Sequence, residues 1–370
     1  MAKLKSNEQE IFEGLIEKKV GEIRRYRNLI NALIACYSFF KTKSDYNCYL
    51  GKVGKGSSPD LIVKSKVNNK VDIVGDGKKG IMALPKKADT ESWDQYKERK
   101  EVKLFLETIL NQLNDSIGKY GVKLDYLSEP HDFFTLCPTD KRIAIKLLEK
   151  ENKINPKAII LSFDFSNDET RYVLRIVKER GNFSDPDINN EFEYTNGIFH
   201  QMQDFAELMS KHKLYLAEKE DDHAPIEWIM FIIWEYILPE VAKSNQKERI
   251  IAQLNEGHLI IEVCLKDISD FIRDNYQLPT FPDEKELISY TIIRKALNSI
   301  SLLTDVKVIE GENTPNPKYR ITWKKLQTQN LLHEFVNKIH GEDFKKIAKE
   351  QAGTLPAPAD GSNQTNLGKY

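Results

Sequence analysis

Ser58-Pro59-Asp60-Leu61-Ile62-Val63 and, shortly after, Val71-Asp72-Ile73-Val74-Gly75-Asp76-Gly77-Lys78 decide how this chain is read. Each holds a short β-rich run, Leu61–Val63 and Val71–Val74, and the turn-like Asn68-Asn69 lies between them, so two neighbouring strands are expected. Strand alternation sets Asp76 and Lys78 on one side and Gly77 on the other. Asp60 opens the first strand, 16 positions before Asp76. Neighbouring strands would then bring two carboxylates and one ammonium to one point. Carboxylates a few ångströms apart repel and are costly to leave unpaired. A hard, oxygen-preferring cation, Mg²⁺ or Mn²⁺, relieves that cost. It would also polarise a phosphate oxygen and acidify a bound water, which Lys78 would orient or deprotonate while offsetting charge at phosphorus. The rival reading of Asp76-Gly77-Lys78-Lys79-Gly80 is a solvated hairpin turn, because Asp-Gly is a strong turn signal.

On the N-terminal side, Ile11, Leu15, Ile23, Tyr26, Ile30 and Leu33 recur at helical steps and predict an amphipathic helix over residues 7–40. On the other side a long helix is expected from Glu91 to about Lys119, with Gly118 and Gly121 as stops. Then come a strand at Phe133–Leu136, a helix at Lys141–Lys150, a buried strand at Ala158–Phe163 and another at Tyr172–Val177. Alternating helices and strands imply a mixed sheet flanked by helices.

Pro59-Asp60…Asp76-Gly77-Lys78, within this order of elements, resembles the signature of the PD-(D/E)XK nuclease superfamily. The resemblance covers residues 7–180, about half the chain. It implies a restriction-endonuclease-like α/β fold in which Asp60 and Asp76 bind Mg²⁺ or Mn²⁺ and Lys78 sits by the nucleophilic water. Many members place a further carboxylate on the first helix, and Glu22, which falls within the apolar face of that helix, is the candidate here. Gln112 and Tyr120 are candidates to face the site from the following helix. The sequence departs from the pattern at Gly77, where an apolar residue is usual, at Gly75 beside it, and in having Asp76 for the commoner Glu. Glycines soften a strand, so this one is expected to bend or to give way to a loop.

The second half reads differently. Helices are expected near 226–243, 246–254, 262–274 and 284–301, then a hairpin from Val306–Ile309 to Tyr319–Trp323, then a helix over 325–340. The helix near 284–303 followed by this hairpin resembles a winged-helix module. Lys307, Lys318, Arg320, Lys324 and Lys325 are suited to contact nucleic-acid phosphates. The expected division is an α/β nuclease-like domain at 1–205, a helical and winged-helix domain at 206–345, and a disordered tail at 346–370.

Composition narrows the function classes. Of 370 residues 40% are hydrophobic, which excludes wholesale disorder, and the net charge of −1 excludes a uniformly basic DNA binder. The charges are sorted locally, however: Lys41–Lys100 holds 14 basic and 8 acidic residues, whereas Asp185–Glu240 holds 3 basic and 13 acidic. The four cysteines show no C-x-x-C pair, against structural zinc and a disulfide scaffold. The N-terminus has no apolar signal core and the greasiest run, Ile226–Leu238, is too short to span a bilayer, so a cytoplasmic protein without a membrane partner is expected. The leading expectation is a metal-dependent endonuclease acting on DNA in preference to RNA, in restriction or antiviral defence. A protein partner such as an NTPase and a homo-oligomer stay open. The rivals are a non-catalytic adaptor on a degenerate nuclease fold and a winged-helix transcription regulator.

Overall fold

In the computed structural model, the described residues are 7–50, 59–78, 85–168, 171–194, 197–202, 226–243, 251–255, 258–275, 290–301, 305–323 and 328–354. The chain opens with α1 (Asn7–Lys41). Buried Ile16, Val20, Ile23 and Tyr26 keep helical spacing, but every residue from Leu29 to Tyr37 is buried. The amphipathic stripe thus runs into a fully enclosed segment, which fits a helix covered on all sides.

One side of that segment meets a seven-stranded mixed sheet, whose strands lie in chain order: β1 (Tyr46–Leu50), β2 (Leu61–Ser65), β3 (Asp72–Gly77), β4 (His131–Pro138), β5 (Ile159–Asp168), β6 (Arg171–Arg180) and β7 (Ile198–Met202). β1, β2 and β3 form an antiparallel meander, and β3, β4 and β5 are parallel. β5–β6–β7 is antiparallel again. Leu61, Val63, Ile73, Phe134 and Leu136 pack toward α1. Their alternating neighbours Ile62, Val74, Phe133, Cys137 and Ile160 face the other way, toward α3 (Lys100–Tyr120) and α4 (Arg142–Lys150). Covering both faces explains why these strands read as continuous apolar runs.

The expected 91–119 helix is broken once. Ser92 caps the short α2 (Trp93–Glu98) in a reciprocal capping box with Gln95, and Arg99 turns extended before α3 begins. α5 (Pro186–Tyr194) and β7 had no counterpart in the sequence reading.

Beyond residue 225, α6 (Ile226–Ile232) runs through a π-turn (Ile233–Ile237) into α7 (Leu238–Lys243). Residues 251–255 form β8 (Ile251–Asn255), a correction to the helix expected over 246–254. Ile251, Ala252 and Leu254 suit either structure, and pairing with β9 (His258–Cys264) decides it. α8 (Leu265–Asn275), α9 (Tyr290–Ile300), β10 (Val306–Glu310) and β11 (Lys318–Trp323) follow, with β9 paired to β11 in a four-stranded antiparallel sheet. Neither sheet closes into a barrel. The last helix, α10 (Thr328–Thr354), continues through 346–354, which the sequence reading gave to the disordered tail. One hydrophobic cluster joins α1 and the first sheet to Trp228, Trp234, Leu297 and Phe335 of the second half. Among the described residues no helix is long and apolar enough to cross a membrane.

Candidate metal and phosphate site

β2 and β3 pair with Leu61 opposite Gly75 and Ile62 opposite Val74, so the next step outward sets Asp60 across from Asp76. β3 stays extended through Gly77, and Lys78 N–H still donates to Leu136 O at 2.8 Å. The Asp76-Gly77 pair is therefore strand and not hairpin turn. Neighbours occupy the glycine faces. A Cβ at Gly75 would lie 2.3 Å from the Phe134 ring, and one at Gly77 would lie 2.7 Å from Leu29 Cδ1 and 3.3 Å from Asp60 Oδ2. The glycines let the phenylalanine and the first helix close on the strand, which stays in register with β4 through Gly77 and does not give way to a loop there.

Asp60 Oδ2 accepts the Gly77 N–H at 2.7 Å, which ties the first carboxylate to the strand that carries the second. Asp76 is 7% exposed. Its Oδ2 accepts from the buried Ser116 hydroxyl at 2.5 Å and faces Lys78 Nζ at 2.7 Å. Asp76 and Lys78 thus meet at the carboxyl end of the parallel strands, with Asp60 held to the next residue of the same strand; this is the end where open α/β sheets commonly place ligands.

Glu22 does not join them in any described contact. It is exposed and pairs with Lys19 at 3.6 Å. The residue of α1 that reaches β3 is Leu29, about 10 Å further along the helix axis at 1.5 Å per residue. Tyr120 packs on Phe133 away from the site, its carbonyl taken by His131. Gln112 is close by: its carbonyl lies 3.0 Å from Ser116 Oγ, and its side-chain oxygen accepts from Lys141 Nζ at 3.1 Å.

Lys141 escaped the sequence reading, which made it the first residue of a helix. It ends a short 3₁₀ turn after β4 and is 1% exposed. Lys78, Gln112, Thr135, Cys137 and Lys141 line one small cavity, walled by Ile109, Leu113 and Ile145. Burial, reinforced by the Lys78 charge, holds the Lys141 ammonium below the ordinary lysine pKa. Burial pushes the Cys137 thiol up to about 12, so this sulfur is no ready metal ligand. Nothing in the sequence around Lys141 signals the site apart from its place after a parallel strand.

Among the described residues no group of three or more His, Cys, Asp or Glu side chains converges on a point. The pair Asp60 and Asp76 offers hard oxygen donors only. That set fits Mg²⁺ or Mn²⁺, which take one or two carboxylates from a protein and complete their shell from water and phosphate.

The basic residues assigned to nucleic acid in the second half are placed less simply. Arg320 lies opposite Glu262 in the β9–β11 register and bonds it at 2.6 Å, and Lys318 lies 3.6 Å from both Glu262 and Glu310. Lys307 pairs with Asp305 at 2.9 Å. Lys324 and Lys325 lie outside the described residues. The charge sorting is partly internal too: Lys70 bonds Asp185 at 2.9 Å, and Lys43 bonds Glu191. Comparison with protein-family models, with curated proteins and with solved structures gives no match to this chain.

Proposed function

We propose that this chain hydrolyses phosphodiester bonds in nucleic acid, DNA in preference to RNA, using Mg²⁺ or Mn²⁺ held by Asp60 and Asp76. The observation that supports the reading is the register that sets Asp60 across from Asp76, with Asp60 tied to β3 through the Gly77 N–H and Asp76 paired with Lys78. The order helix, antiparallel β1–β2–β3, helix, parallel β4 agrees with that of the PD-(D/E)XK superfamily and supports the same reading. When bound, the metal supplies an acidified water and a polarised phosphate oxygen. Asp60 and Asp76 supply its negative ligands. Ser116 fixes the Asp76 carboxylate by hydrogen bonding. The Lys78 ammonium, at the rim of the same site, orients the attacking water and offsets negative charge growing on the phosphate oxygens. In the second half, the order α6–α7, β9, α8, α9, β10–β11, with β9 beside β11, supports a winged-helix-like module that docks nucleic acid or a protein partner. Service in restriction or antiviral defence follows by analogy with the superfamily.

The test is incubation of the full chain with plasmid DNA and Mg²⁺ or Mn²⁺. Cutting is expected, falling at least about a hundredfold in Asp76→Ala and Lys78→Ala at unchanged circular dichroism. Intact DNA with every metal would refute the enzyme and leave the second reading, a non-catalytic adaptor. One observation favours that rival: Asp76 Oδ2 is already engaged by both Ser116 and Lys78.

A further inference from the structure

We propose that Lys141 is a positioning residue for the acid–lysine cluster, acting through Gln112 to hold the Asp76 carboxylate and the Lys78 ammonium in register. A lysine that is 1% exposed needs a reason, because moving an ammonium out of water is expensive and this side chain almost never lies fully inside. Packing alone would be served by leucine or methionine of similar volume. The contacts supply the reason. Lys141 Nζ donates to Gln112 Oε1 at 3.1 Å. One turn along α3, Ser116 Oγ sits 3.0 Å from the Gln112 carbonyl and 2.5 Å from Asp76 Oδ2. Asp76 meets Lys78 at 2.7 Å, and Lys78 returns to the cavity that Lys141 also lines. These contacts form a chain from the turn after β4 through α3 to the end of β3, and both its end lysines line the same cavity. Two ammonium groups facing one enclosed, largely apolar cavity repel, which pushes Lys78 outward onto Asp76. The pKa of Lys141 is lowered first by burial, and the Lys78 charge acts in the same direction.

The catalytic consequence rests on the nuclease reading, but the positioning itself does not, so the experiment has two arms. In the first, denaturant titration of the full chain without added metal compares wild type, Lys141→Met, Asp76→Asn and the double variant. The effect of Asp76→Asn on the unfolding constant is expected to differ at least about fivefold between the wild-type and Lys141→Met backgrounds. Additive effects would overturn the proposal. In the second arm, DNA cutting with Mn²⁺ is followed: Lys141→Met and Gln112→Met each lower kcat at least about tenfold with KM within about twofold. Lys141→Met is meanwhile at least as stable as wild type, because an ammonium leaves the interior. A lower Tm with unchanged kcat would mark a packing role and also overturn it. Should Lys141→Met fail to fold, Gln112→Met replaces it in the first arm, since it breaks the same bond from the other side. A wild-type protein that cuts nothing defeats the nuclease reading alone, and the stability cycle then decides the role of Lys141.

Discussion

Gly75 and Gly77 occupy the same face of one strand yet answer to different constraints. At Gly75 an added Cβ meets the fully buried Phe134 ring, which is itself stacked on Phe40 and edge-on to Phe183, so the ring has little room to yield. Gly75→Ala is expected to lose about 1–3 kcal/mol, seen as a lower urea midpoint at unchanged slope. At Gly77 the added carbon meets the far end of Leu29, a flexible group, and then Asp60 Oδ2. Gly77→Ala should therefore cost under about 1 kcal/mol while displacing Asp60, so Mn²⁺ affinity measured by calorimetry falls and the urea midpoint hardly moves. Equal stability losses at the two positions would contradict this assignment of roles. The pairing of β2 with β3, which sets Asp60 across from Asp76, was legible because it follows from two short apolar runs and a turn-like connection. The roles of Ser116 and Lys141 were not, since both depend on where α3 and the turn after β4 land on the sheet. Glu22 misled for a related reason: a helical wheel gives direction around the axis, but not which turn of the helix touches the strand.

Elements are joined here by a few buried ionic staples, and their acid response can be argued. Asp72, 1% exposed, opens β3 and accepts from Lys64 Nζ at 2.6 Å, from Ser65 N–H at 2.7 Å and from Ser128 N–H at 2.8 Å. It thereby fastens β3 to β2 and to the segment before β4. Burial pushes its pKa up, but Lys64 and the two N–H donors outweigh that and leave the carboxyl below its ordinary value of 3.8. A folded pKa below the unfolded one gives stability that is complete above about pH 4 and is lost as pH falls through the folded value. Asp72→Asn is expected to be about 1–3 kcal/mol less stable at pH 7 and to lose less than wild type between about pH 4 and pH 2 in denaturant titrations. A second element-level prediction concerns the hairpin β10–β11. Because Glu262 is bonded to Arg320, while Lys318 keeps Glu310 as a second neighbour, Glu262→Gln should free Arg320 and steepen the salt dependence of DNA binding by about 1 in log–log slope. No change would mean that this sheet face does not meet phosphate. The hairpin itself was readable from its turn residues and flanking apolar runs. Strand β8 was read as the end of a helix because a short apolar run suits either state until a partner strand selects one.

At the scale of the whole molecule, the chain order suggests two modules, and strand β7 ends near the expected boundary at residue 205. The side chains argue for tighter union. α1 begins the chain and α10 ends the described part of it, yet these two helices make the most extensive helix–helix contact. His333 bonds Glu17 at 2.8 Å, and His340 bonds the buried Glu227. Phe335, 1% exposed, belongs to the same apolar cluster as Leu33, Phe134 and Trp234. A helix that packs on the sheet and also on α10 cannot keep one covering and lose the other without exposing apolar surface to water. Phe335→Ala should thus remove about 3–5 kcal/mol from the molecule as a unit. Native-state hydrogen exchange is the measurement: protection should fall by the same free energy in β3–β4, far away in sequence, as in α6 and α9. Loss of protection confined to α6, α9 and α10 would show instead that the N-terminal half folds by itself, with the C-terminal half as a detachable addition.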